Sequence, residues 1–287
     1  MAIRDVGVVG CGLMGSGIAQ VSAQKGYRTV VREVDDARLK TGLDRIRAFL
    51  AEGVRRGKLA QEEMDRTLAN LRGTTTLADL KDCDLVVEAV VENLAEKRKV
   101  FAELDRVCKP SAILASNTSS IPIASMASAT GRVDRILGLH FMNPVPLMKL
   151  VEIVRPEAAS AGTYEAARAF VESLGKTAVT AKDTAGFIVN LLLVPYLGEA
   201  VRAVERGLAT PADIDTAMKL GCGMPMGPLE LLDFVGLDTT LSILDILKEA
   251  FKDPRYEAPP LLRRMVAEGK AGKKAGRGFY DYSKAKA

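Results

Sequence analysis

The 287-residue chain contains one histidine, His140, in the stretch ILGLHFMNPVPLMKLVEIV, twelve positions before Glu152. Imidazole titrates near neutrality, so it can take up and release a proton under working conditions. Glu152 is flanked by Leu150, Val151, Ile153 and Val154, and a carboxylate buried in such a run needs a partner. Pro144 and Pro146 suit an ordered, extended loop between the two segments. If the segments lie side by side, Glu152 can hold one ring nitrogen and leave the other to remove a proton from an alcohol. A packed histidine satisfied by a glutamate fits the same residues, and the pattern leaves both readings open.

A second constellation supplies what such a base would serve. Directly after a strand-like run come Gly10, Cys11, Gly12, Leu13, Met14 and Gly15, followed by a helix-like SGIAQ. This G-x-G-x-x-G spacing permits a tight turn, a close backbone approach to a pyrophosphate and close packing of helix on strand. The free amides and dipole at the helix start favour the phosphate charge. Glu33 ends the second strand-like run, where a carboxylate can accept from the ribose hydroxyls and repel a 2′-phosphate, which favours NAD over NADP. Arg32, beside it, works against that preference.

The elements that must position these residues follow from the apolar patterning. Short runs at 6–10, 29–32, 84–91, 112–116, 136–140 and 150–154 read as strands, nearly continuous in apolar character as strands covered on both faces require. Helical patterns alternate with them. Between residues 36 and 71 this alternation gives way to Leu39, Leu43, Ile46 and Leu50 at helical spacing and a second segment from Gln61 to Leu71, which predicts an inserted helical hairpin. Its tip carries Arg55, Arg56 and Lys58, a site for an anionic substrate or a solvated face. From Ala185 strand signals vanish. Thr210-Pro211 reads as an N-cap followed by proline at the first helical position, Gly221 as a stop, and Leu237–Phe251 as helix. The expected architecture is therefore α/β: a Rossmann-like doubly wound sheet with an inserted hairpin (residues 1–184), then an all-helical domain (185–287) after a hinge at Lys182-Asp183-Thr184.

Composition excludes several classes. Forty basic against thirty-six acidic residues give a net charge of +4 with the signs interspersed, which argues against a nucleic-acid partner. The four cysteines form no CxxC pair, so neither a metal site nor a disulfide framework is indicated and a reducing, cytoplasmic setting fits. The apolar stretch 188–197 is interrupted by Asn190 and Pro195 and is too short to span a bilayer, and the first residues leave no room for a secretory leader.

The stretches GCGLMGSGIAQ, VVEAVVENLAEK, ASNTSS, GLHFMNPVPLMKLVEIV, KDTAGFIVN, LLVPYLGEA, IDTAMKLG, MGPLELLDFVGLDT and GKKAGRGFY resemble the 3-hydroxyacyl-CoA dehydrogenase family over essentially the whole chain. That resemblance implies NAD-dependent, reversible oxidation of an (S)-3-hydroxyacyl-CoA such as 3-hydroxybutyryl-CoA, in fatty-acid or butyrate-type metabolism. It implies His140 as base, Glu152 as its orienting partner, and Ser119 and Asn190 as polar groups near the substrate. It associates Glu33, Glu92, Lys97, Asn143 and Lys274 with NAD, the hairpin with coenzyme A, and the C-terminal domain with a homodimer. Family members often carry proline where Ala185 stands and arginine where Leu191 stands. A dehydrogenase of a free hydroxy acid or sugar acid, or a non-catalytic structural relative, are the competing readings.

Overall fold

The computed structural model describes residues 3–283, which divide into two compact units on either side of the Thr184–Ala185 bond. The first unit runs β1 Asp5–Val9, α1 Leu13–Gln24, β2 Arg28–Arg32, α2 Asp36–Arg55, α3 Gln61–Ala69, β3 Leu71–Thr74, β4 Leu85–Glu88, α4 Leu94–Val107, β5 Ile113–Ser116, α5 Ile123–Ala127, β6 Ile136–Phe141, β7 Leu150–Arg155, α6 Ala161–Ser173 and β8 Thr177–Lys182. Its eight strands are ordered β3-β2-β1-β4-β5-β6-β7-β8. Neighbours are parallel throughout except β6 and β7, which pair antiparallel.

Strand residues alternate between the two sheet faces, and here the faces differ in what they carry. Val6, Val8, Leu85, Val87, Ile113, Ala115, Leu137, Leu139, Phe141, Val151 and Ile153 form one core cluster with Ile18 of α1, Ile46 of α2 and Phe170 of α6. Each such fully buried aliphatic or aromatic side chain contributes roughly 1.5–3 kcal/mol. The intervening positions face the side of α4 and α5. A Cβ on Gly138 would stand 2.9 Å from Ile123 Cδ1 of α5, and Lys97 of α4 reaches Glu88. That second face collects Glu88, Ser116, His140 and Glu152, all buried.

Two strands escape the sequence pattern. β3 is LRGT, at one sheet edge beyond the hairpin, and β8 is TAVTAK, at the other. Half-exposed edge strands need no continuous apolar run, so their periodicity is too weak to read. The strand expected at 84–91 ends at Glu88, and the second hairpin helix ends at Ala69 rather than Leu71.

The second unit is helical: α7 Val189–Glu205, α8 Pro211–Cys222, α9 Pro228–Val235, α10 Leu237–Phe251 and α11 Pro260–Ala267. Leu197, Val201, Leu229, Leu232, Leu244, Leu247 and Leu262 form its core. Thr210 caps α8, accepting from Asp213 N–H, with Pro211 in the first turn. The stop is Gly223 and not Gly221: the closing residue takes φ +67°, which glycine adopts without strain, whereas Gly221 lies inside the last turn. Asn190 and Pro195 do not interrupt α7 but lie within it. Among the described residues no helix is long and apolar enough to cross a membrane.

Candidate functional site

The glycine motif forms the β1–α1 turn. Gly10 has φ +96°, and a Cβ on Gly15 would stand 1.9 Å from the Gly10 carbonyl oxygen, so both positions require glycine. Gly12, by contrast, has open space where a Cβ would point. It is the N-cap of α1 and accepts from Ser16 N–H at 3.0 Å, so the first-turn amides beyond it, at Leu13 and Met14, lack intrahelical partners. An open glycine, helix-start amides and an adjacent carboxylate are what a dinucleotide pyrophosphate and ribose need, so the residues fit NAD. The Glu33 carboxylate accepts from Cys11 N–H and Val34 N–H, each at 2.8 Å. Arg32 turns its Nε toward the Thr75 carbonyl at 3.4 Å. Burial, reinforced by Glu33, pushes the Cys11 thiol up to about 12, so this cysteine stays protonated and unreactive.

His140 stands directly opposite Glu152 in the β6–β7 ladder, so the two side chains leave the sheet on the same face. His140 Nδ1 lies 2.5 Å from Glu152 Oε2, with the histidine 4% and the glutamate 0% exposed. A carboxylate only accepts, so Nδ1–H donates to it, and in a neutral ring so oriented Nε2 carries the lone pair. Nε2 is 3.1 Å from Ser119 Oγ, whose hydroxyl hydrogen can donate to it. The arrangement is an imidazole oriented through Nδ1, with Nε2 beside the Ser119 hydroxyl, at the carboxyl edge where the parallel strands end. Asn117 ties this edge together, its Oδ1 accepting from Phe141 N–H at 2.9 Å.

Beneath Ser119 lies an ionic network that sequence reasoning caught only in part. Lys97, 1% exposed, places Nζ 2.7 Å from Glu88 Oε1 and 3.2 Å from Glu92 Oε2. Its ammonium is thus enclosed between two carboxylates. Burial pushes the Glu92 carboxyl up, but the Lys97 charge and hydrogen bonds from Thr118 and Ser119 outweigh it and hold it below its ordinary range. Glu88 had a readable signal: a carboxylate inside the apolar run DLVVEAVV.

The loop after His140 puts Asn143 at the surface and Val145 in the core. Val145 packs on α1 so closely that a Cβ on Gly17 would stand 2.7 Å from Val145 Cβ. Buried Lys176, which the sequence pattern did not single out, donates to the Val145 and Met148 carbonyls at 2.6 and 2.7 Å. Burial holds its ammonium below the usual lysine range.

Of the other expected site residues, three lie at the hairpin tip and two in the second unit. Arg55 and Arg56 are exposed at the hairpin tip and both donate to Glu52, at 2.6 and 2.5 Å, with Lys58 exposed beside them. Asn190 and Lys274 belong to the second unit, Asn190 in the first turn of α7 and Lys274 paired with Asp238 at 2.7 Å. Two buried aspartates that the sequence reading did not weigh organise that unit. Asp215 accepts from Leu229 N–H, Glu230 N–H and Tyr280 OH, and Asp233 from Phe279 N–H and Tyr280 N–H, which holds the segment after Lys274.

Comparison with known proteins agrees over both units. The model described as 3-hydroxyacyl-CoA dehydrogenase, NAD binding domain, matches residues 5–184, and that described as 3-hydroxyacyl-CoA dehydrogenase, C-terminal domain, matches 186–282. The chain is 54% identical over 286 residues to the 3-hydroxybutyryl-CoA dehydrogenase of Mycobacterium tuberculosis, covering 98% of this chain and 99% of that one. It is similar to the crystal structure of M. tuberculosis FadB2, with TM-score 0.97, 52% identity and coverage of 98% and 100%. The (S)-3-hydroxybutyryl-CoA dehydrogenase PaaH1 of Ralstonia eutropha gives TM-score 0.94, 43% identity and coverage of 98% and 99%.

Proposed function

The chain belongs to the 3-hydroxyacyl-CoA dehydrogenase family, and from that premise we propose that it oxidises (S)-3-hydroxyacyl-CoA, such as 3-hydroxybutyryl-CoA, to 3-ketoacyl-CoA with NAD, reversibly. Residues 1–184 are the NAD-binding domain and 185–287 the substrate and dimerisation domain. NAD bound there would supply the hydride acceptor for the carbinol carbon. Gly10, Gly12, Leu13, Met14, Gly15 and Glu33 hold the dinucleotide, with Glu92, Lys97, Asn143 and Lys274 as further NAD-associated positions.

The observation that carries this reading is the Glu152–His140–Ser119 chain, with Glu152 and His140 buried. His140 Nε2 takes the substrate hydroxyl proton, which lets the carbinol carbon give up its hydride. Glu152 stabilises the resulting imidazolium through Nδ1–H. Ser119 and Asn190 orient the substrate oxygens. In the reverse direction imidazolium returns the proton. Arg55, Arg56 and Lys58 supply positive charge for the coenzyme A phosphates.

The test is NADH consumption with acetoacetyl-CoA, compared with free acetoacetate and with NADPH. Turnover that needs both the CoA moiety and NADH supports the proposal; equal turnover of the free acid, or none, overturns it. Exposed Leu192, Leu208, Leu220, Phe234 and Phe251 in the helical unit support a homodimer, for which light scattering should give roughly twice the 30.8 kDa chain mass. Four free cysteines, three of them buried, suit a reducing cytoplasm.

A further inference from the structure

Glu88 is fully buried at the end of β4, and both of its oxygens are engaged. Oε1 accepts from Lys97 Nζ and Val90 N–H, each at 2.7 Å, and Oε2 accepts from Ser116 Oγ at 2.7 Å. Each side-chain partner leads to the same loop. Ser116 Oγ accepts from Thr118 N–H at 3.1 Å. Lys97 holds Glu92, whose Oε1 accepts from Thr118 Oγ1 at 2.5 Å and from Ser119 N–H and Ser120 Oγ, each at 3.1 Å. Two arms thus run from one carboxylate to the residues on either side of the Ser119 hydroxyl, which in turn meets His140.

We propose that Glu88 is a positioning residue for proton transfer: through Ser116 on one arm and Lys97–Glu92 on the other, it sets the place of Ser119 against His140 Nε2. Fully buried, it has no surface to offer a substrate or cofactor. The alternative duty, neutralising a buried lysine, would not need the Ser116 arm, because Glu92 already pairs with Lys97. Burial of Glu88, Lys97, Ser116 and Thr118 makes this part of the arrangement discriminating, since a displaced member there is not readily replaced by water. The proposal rests on the reading of His140 as the base and of Ser119 as the group that orients the substrate oxygen beside it.

The single histidine makes the test direct, because ring nitrogen signals in an NMR spectrum belong to His140 alone. Glu88→Gln keeps the shape and removes the charge. It should move the Nε2 resonance in the direction that Ser119→Ala moves it, and Glu88→Gln added to Ser119→Ala should move it no further. In turnover of acetoacetyl-CoA, Glu88→Gln should lower kcat by about tenfold to a hundredfold with little change in KM for the acyl-CoA, and the double variant should be no slower than Ser119→Ala. An unmoved Nε2 signal beside a lowered Tm, or effects of the two substitutions that multiply, would overturn the proposal. If Glu88→Gln does not fold, Ser116→Ala severs one arm alone and should give the same changes at smaller size; an unmoved Nε2 signal there would overturn it equally. A parent protein without turnover would refute the enzymatic reading, while the NMR comparison would still decide what Glu88 does.

Discussion

The His140 corner and the tip of the helical hairpin both gather ionisable groups, yet they do so in opposite ways. At the corner the charges are buried, with only Glu92 reaching the surface, and their partners come from other elements: Glu152 from the neighbouring strand, Glu88 and Glu92 from the region around β4, Lys97 from α4. At the tip Arg55 and Arg56 are exposed and share Glu52, three and four residues earlier on the same helix. Desolvation is the difference. A buried charge without a partner is so costly that geometry around it is narrow, whereas an exposed pair contributes about 0–1 kcal/mol and is readily exchanged for water or a ligand. The corner is preorganised and the tip is adaptable.

That contrast predicts a ranking of effects. His140→Gln should remove the base and cost about 10²–10⁴-fold in kcat, with NAD affinity by calorimetry unchanged; substantial remaining turnover would erase the distinction between the regions. Glu152→Gln retains an acceptor for Nδ1–H but loses the charge that steadies imidazolium, and should cost on the order of 10²-fold in kcat with a small change in Tm. Full activity with a collapsed Tm would instead make the pair structural. Replacing Arg55, Arg56 and Lys58 together by alanine should raise KM for acyl-CoA by about twofold to tenfold, with kcat and KM for NAD held. The effect should shrink as salt is added, and equal changes in both KM values would remove the hairpin from substrate binding.

The smallest expected effect has the opposite sign. Hydrogen bonds from Arg55 and then Arg56 pull the Glu52 carboxyl down to about 2 from its ordinary 4.5. A depressed carboxylate pairs fully above its ordinary value and loses the pairing only as pH falls toward 2, so Glu52 masks the arginines at any working pH. Glu52→Gln should therefore lower KM for acyl-CoA by less than about threefold at low salt. An increase would mean that Glu52 aims the arginines rather than competing for them.

Legibility followed the same division. Six strands declare themselves as apolar runs because both sheet faces are covered, while β3 and β8, at the edges, carry too little apolar pattern to stand out. The glycine turn is readable because steric demands act locally, at Gly10 and Gly15. Lys97 could be matched to a motif, but its burial between Glu88 and Glu92 depends on how α4 lies against β4. Lys176 illustrates the limit further: a lysine at the start of an edge strand carries no mark that it pins a loop thirty residues earlier.

By itself the sequence determined the alternation of strand and helix, the dinucleotide turn, the helix cap at Thr210 and the presence of a single imidazole near a buried-looking glutamate, because these depend on residues close in the chain. Only the tertiary structure decided that β6 and β7 run antiparallel in the register that sets His140 opposite Glu152, and that Glu88, Ser116, His140 and Glu152 share one sheet face. Register and packing arise from contacts between distant segments, and in an antiparallel pair a slip of one residue would have sent one partner to the other face.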